Sequence, residues 1–141
     1  MLLLSDEPGE VEVPSLQNTI VSLHVGASVQ MSCRRGGANY RGTAVHGDID
    51  IIPAHTPGLW EIKQKDTAFV LSLSPQLIKL AAEEFDFDPS RVEIRNRFLV
   101  RDTQLENIGW ALKSEMECGY PSGRLYVESL AVSVAARLVA C

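Results

Sequence analysis

A chain of 141 residues is long enough for one domain that buries most of its apolar surface without disulfide help. Its 13 basic and 18 acidic residues leave a net charge of −5, and the basic ones are scattered, so no Lys/Arg block of the kind DNA phosphates require is present. Cys33, Cys118 and Cys141 are odd in number and widely spaced, which predicts free thiols in a reducing, cytoplasmic compartment, and the apolar start at residues 1–4 is too short for a signal peptide or a membrane span.

In chain order, residues 1–14 contain Pro8, Gly9 and Pro14 with only Val11 and Val13 alternating, which predicts a mobile arm with at most a short edge strand. Residues 18–25 read as a strand with Val21, Leu23 and Val25 on one face and Ile20, Ser22 and His24 on the other. Gly26 turns the chain. Val29, Met31 and Cys33 then alternate with Gln30, Ser32 and Arg34 until Gly36 and Gly37 break the pattern, and a third strand over 39–45 is expected to be interrupted by Gly42. The stretch 46–61 is the organising unit: Gly47 opens a turn, Ile49, Ile51 and Ile52 form a strand, and Pro53 ends it because it has no N–H to donate. After the loop at 54–58, Trp60 and Ile62 share one face of a fifth strand, and 67–72 make a sixth. Six short strands with no helical run before position 74 argue for a sandwich or a small barrel.

At Ser74 and Pro75 the period changes to that of a helix, with Ser as N-cap and Pro in its first position, ending near Phe85. Residues 86–89 read as a turn, and 91–100 as extended chain with a slip at Asn96. Asp102 is the expected N-cap of a helix carrying Leu105, Ile108, Leu112 and Met116, closed by Gly119 and Pro121. Ser122 caps the last helix, which carries two apolar stripes: Tyr126, Leu130, Val134 and Leu138 every fourth residue, and Leu125, Val132 and Val139 every seventh. One stripe would pack on the chain's own barrel and the other on a second subunit. Tyr126, Leu130, Val134 and Leu138 are assigned to the homodimer interface, with burial against the barrel as the competing reading.

Gly47 and Pro53 stand at the Gly-x5-Pro spacing of a cupin barrel motif. A longer signature lies downstream, in Arg101-Asp102-Thr103-Gln104-Leu105-Glu106 leading to Ala111-Leu112-Lys113-Ser114-Glu115, then Pro121-Ser122-Gly123-Arg124-Leu125-Tyr126-Val127-Glu128-Ser129-Leu130. With the 47–61 unit upstream, the chain from about Ser15 onward resembles the N-terminal half of AraC-family transcriptional regulators. The resemblance implies a mainly β fold with C-terminal helices (α+β): a cupin-like β-barrel that binds a small effector, followed by a helical dimerisation segment. DNA binding in that family belongs to a separate C-terminal domain that these residues do not include, so the chain reads as a sensory domain of a longer regulator or a truncated relative of one. The corresponding divisions are an arm at 1–14, the barrel core at 15–73, a completing segment at 74–101 and a two-helix dimerisation segment at 102–141. His55 is a departure, because such a loop commonly has Gly there.

A metal-dependent cupin enzyme needs His and Glu ligands at slots that here fall on Ser32, Arg34, Ala38 or Asn39, and Gly58. His24, His46 and His55 lie on different expected elements. No metal, no cofactor, no membrane partner and no enzymatic chemistry are therefore expected. For the effector, Trp60 is the candidate wall, and Arg34, Tyr40, Arg41 and His46 are the candidate polar contacts. The alternatives are a small metal-dependent cupin enzyme and a stand-alone dimerising protein that sequesters a full-length regulator.

Overall fold

The computed structural model describes residues 1–84, 88 and 92–140. In it the period-two patterning of the first half becomes β1 (Leu2–Asp6), β2 (Gly9–Val13), β3 (Thr19–His24), β4 (Val29–Arg35), β5 (Ala38–Ala44), β6 (Ile49–Ile52), β7 (Gly58–Ile62) and β8 (Asp66–Leu73). Helix α1 (Pro75–Glu84), strand β9 (Arg97–Val100) and helices α2 (Thr103–Glu117) and α3 (Gly123–Ala140) follow. The strands pair antiparallel into two sheets, β1-β8-β3-β6-β9 and β2-β7-β4-β5. The orders 1-8-3-6 and 2-7-4-5 are those of a jelly roll, the double-sheet architecture on which cupins are built. The fold is therefore a cupin-like barrel followed by helices, in line with the alternation and the Pro53 unit.

Residues 1–14 are not an arm outside the barrel. β1 runs along β8, with Leu2 opposite Val70 and Asp6 opposite Asp66, and β2 runs along β7, with Gly9 opposite Ile62. The division at residue 15 thus separates strands that belong to the same sheets and is corrected. Both strands are sheet edges, held by a ladder on one side and burying little, which is why their apolar pattern is faint. A second correction concerns β5, which runs unbroken through Gly42: the Tyr40 ring lies where a Cβ on that glycine would stand.

The strands β3, β6 and β8 of the five-stranded sheet are covered on both faces. Val21, Leu23, Ile49, Ile51, Phe69, Leu71 and Leu73 point outward under the helices and pack with Leu105, Leu112, Val134 and Leu138. The alternate residues point into the barrel toward the smaller cluster of Val29, Met31, Cys33, Ala44 and Ile62 on the second sheet. Gly109 of α2 allows close approach, because a Cβ there would press on Leu23. Asp102 caps α2 as expected, accepting from the Leu105 N–H at 3.0 Å, and its carboxylate also holds the Arg137 guanidinium of α3 at 3.0 Å. Burial alone would raise the Asp102 carboxyl, but the Leu105 N–H and Arg137 outweigh it and hold the carboxyl below its ordinary range.

The stripe assignment on α3 is corrected by the packing. Val134 and Leu138 are 1% and 6% exposed, inside the chain's own core, and Leu130 packs partly against it. Of that stripe only Tyr126 is exposed, whereas Leu125 and Val132 of the other stripe are 78% and 37% exposed. The apolar side that α3 leaves open therefore runs through Leu125, Tyr126 and Val132. Cys33 is buried and Cys118 exposed, both as free thiols, while Cys141, the end of α1 at Phe85 and most of the expected turn at 86–89 lie outside the described residues. Among the described residues no helix is long and apolar enough to cross a membrane.

Candidate functional site

The inner faces of the two sheets do not meet everywhere. Between them lies a cavity of about 190 Å³, lined by residues of β1, β2, β3, β6, β7 and β8 and by the loop residues Pro53 and Thr56. Ile20, Ile52, Ile62 and Val70 supply most of its apolar wall, and Trp60 closes one side. Trp60 can lie along its strand because Gly58 has no side chain: the indole fills the place a Cβ would take. Asp6, Asp50 and Asp66 line the same space, with Ser22 and Asn18 as neutral polar groups.

A polar cluster supports this wall from behind. Arg35 is 1% exposed, and its Nε donates to Asn96 Oδ1 at 2.6 Å and its Nη2 to the Arg97 carbonyl at 2.8 Å. Its guanidinium carbon lies 4.3 Å from the Phe98 ring centre and 5.4 Å from that of Trp60, and Tyr40 stacks on Phe98 at 5.2 Å. Arg35 Nη2 is also 3.7 Å from Asp50 Oδ1, while Nη1 is buried without a hydrogen-bond partner among the described residues. Asp50 Oδ1 takes the Leu99 N–H at 3.0 Å, which the register slip between β6 and β9 leaves out of the ladder. Leu99 itself has φ 45°, a left-handed value that a bulky residue adopts only when its surroundings impose it. Burial pushes the Asp50 carboxyl above its ordinary value, with Arg35 and the Leu99 N–H opposing.

At the other end of the barrel, His24 is 5% exposed. Its Nε2 is 2.8 Å from the Ala27 carbonyl, and its Nδ1 is 2.9 Å from Asp66 Oδ1, close enough for an ion pair but off the axis of a well-directed hydrogen bond. Burial pulls the imidazole down, yet Asp66, the Ala27 carbonyl and Asp48 together outweigh it and raise it. Cys33, also inward, is an inert thiol, since burial pushes it up to about 12.

Of the residues expected to meet a ligand, the structure brings only Trp60 to the cavity. Arg34 and Arg41 face outward and, with Tyr40, border a shallow hollow on the outside of the four-stranded sheet. His46 is exposed on the β5–β6 turn, where its Nδ1 accepts from the Gly26 N–H at 2.9 Å and its ring stacks on Trp110 at 4.6 Å. Arg34, Tyr40, Arg41 and His46 are thus corrected as cavity residues. The missed ones were signalled by parity: the alternation that turns Met31 and Cys33 inward continues to Arg35, and the alternate face to Ile49 and Ile51 is Asp50 and Ile52. Among the described residues no group of three or more His, Cys, Asp or Glu is placed to hold a metal ion. His55 sits at φ 61°, the conformation glycine adopts freely, which accounts for the glycine usual in such loops.

The sequence matches no protein-family profile and no curated protein. Solved structures similar to the chain include the Drosophila melanogaster CENP-C cupin domain, at 10% identity over 50% of this chain and 57% of that one, with a TM-score of 0.40. The Schizosaccharomyces pombe Cnp3 cupin domain matches at 11% identity over 61% of each chain, with a TM-score of 0.43. A mutant of Bacillus subtilis oxalate decarboxylase matches at 13% identity over 64% of this chain and 29% of that one, with a TM-score of 0.41. The chain spans 57% and 61% of the two cupin domains and 29% of the decarboxylase. The expectation that no enzymatic chemistry is done is corrected by this last kind of neighbour: oxalate decarboxylases are enzymes, and the cupin fold is compatible with enzymes and non-enzymes alike.

Proposed function

We propose that this cupin domain is the effector-binding and dimerisation domain of an AraC-like transcription regulator, acting on a DNA-binding domain outside these 141 residues. The AraC reading is supported by the motifs at 101–115 and 121–130 in their order after the Pro53 unit, and the comparisons go no further than a cupin domain. The observation that carries ligand sensing is the Trp60-walled cavity. Strands β3, β6 and β8 line it with one set of residues and support α2 and α3 with the alternate set. A ligand that spreads or tightens these strands changes the seat of the helices on the other side, which is a population shift between two helix arrangements. The open side of α3 at Leu125, Tyr126 and Val132 is the surface for a second copy.

The test is a thermal-shift screen of sugars, carboxylic acids and amines against the wild type and Ala68→Leu, whose larger side chain enters the cavity, with native mass spectrometry of the wild type and Val132→Asp. The reading expects ligands that raise the melting temperature of the wild type alone, and a dimer that Val132→Asp dissociates. Ligands that stabilise both forms equally, or a wild-type monomer, would overturn it.

A further inference from the structure

Three ionisable side chains line the cavity, and all three are acids: Asp6, Asp50 and Asp66. Among the described residues no Lys, Arg or His shares that lining. The cations associated with these carboxylates stand behind the wall, Arg35 at 3.7 Å from Asp50 and His24 at 2.9 Å from Asp66. Asp50 is 9% exposed, and the Oδ1 of Asp66 is buried with no hydrogen-bond partner among the described residues. A second, independent observation concerns register. Asp6 and Asp66 are directly opposite across the β1–β8 ladder, where like charges repel.

Resting on the reading of the barrel interior as a ligand site, we propose that its ligand is a small organic cation, a primary ammonium group on an apolar or aromatic body. The ammonium has three donors and no acceptor, the complement of carboxylate oxygens that can only accept. Set among Asp6, Asp50 and Asp66 it relieves the Asp6–Asp66 repulsion, and the low dielectric of the barrel strengthens that attraction relative to water. The body lies against Trp60 and the branched chains of Ile20, Ile52 and Val70. A carboxylate or phosphate ligand would meet three like charges. The cavity volume of about 190 Å³ suits a single small ring with a short side chain.

The test uses the two tryptophans as paired reporters. Trp60 lines the cavity, and Trp110 of α2, stacked on His46, is the internal control. The indole N–H signals of the full chain are followed by NMR during titration with phenethylamine, its neutral isostere 2-phenylethanol and the anion phenylacetate. The proposal expects phenethylamine to move the Trp60 signal and not that of Trp110, with at least tenfold tighter binding than the alcohol and no response to phenylacetate. Asp6→Asn, a change at a sheet edge that leaves the core intact, should weaken the amine several-fold and leave the alcohol unchanged. Alcohol binding at Trp60 as tight as the amine's would overturn the cation while leaving the cavity as a ligand site. Silence of Trp60 toward all three would overturn both, and equal shifts of Trp60 and Trp110 would mark association at the surface and overturn the proposal.

Discussion

The two faces of the five-stranded sheet are built from neighbouring residues and have different work. On β8, Phe69, Leu71 and Leu73 are 0%, 4% and 3% exposed under the helices, while Ala68 and Val70, one position away, border the cavity. On β6, Ile49 and Ile51 face the helices, and Asp50 and Ile52 face the barrel. The outer face is packed solid with apolar side chains and supplies stability. The inner face leaves space, places carboxylates in it and lies opposite the Arg35 guanidinium of β4, one nitrogen of which has no hydrogen-bond partner among the described residues. A region that holds unsatisfied polar groups is less stable than it could be, and binding sites are where such costs are retained.

Truncating the two faces should separate them most. Phe69→Ala should cost about 3–5 kcal/mol in urea unfolding, whereas Val70→Ala, beside existing empty space, should cost about 1 kcal/mol or less. Equal costs would erase the distinction.

The next effect concerns the ion pair behind the wall. Arg35→Ala should cost about 3 kcal/mol because it leaves the Asp50 charge buried without compensation, and the double variant Arg35→Met with Asp50→Leu should recover most of that loss. Additive losses in the cycle would show that the two side chains do not act as a pair.

A smaller effect follows from His24. Its imidazole is raised above the ordinary value of 6.5, so the stability it contributes is fully present below that value and is lost as pH rises through the higher folded value. The melting temperature should therefore fall as pH rises above 6.5 in the wild type, and this slope should flatten in His24→Gln. A slope unchanged by the substitution would assign the dependence to other groups. The smallest effect is at the loop below the cavity, where His55→Gly should stabilise by about 0.5 kcal/mol by relieving the left-handed backbone. A loss on substitution would mean that the imidazole contributes contacts worth more than the strain.

The sequence was informative where burial imposes a period. Val21 and Leu23 against Ile20 and Ser22, the stop at Pro53, the cap at Asp102 and the inward face of Trp60 were all legible from alternation or local chemistry. β1 and β2 were not, because an edge strand is held by backbone pairing and leaves little trace in side-chain pattern. The candidate polar contacts were misplaced through parity: Arg34 was chosen for its position on a strand, yet its face is the solvated one and Arg35 belongs to the interior. On α3 both stripes are visible, but which of them the sheet covers depends on the docking of α2 and α1, which no local pattern encodes. The pairing of Asp6 with Asp66 is likewise a matter of register across 60 residues and invisible to local reading.

The contrast between a solid outer face and a hollow inner one is tested most directly by xenon, which settles against the apolar wall of a cavity without hydrogen-bonding chemistry of its own. Methyl NMR under moderate xenon pressure should shift the signals of Ile20, Ile52 and Val70 and leave those of Val21, Ile51 and Leu112 in place. Shifts as large at Leu112 and Val21 as at Ile20, or none at any inner methyl, would contradict the account.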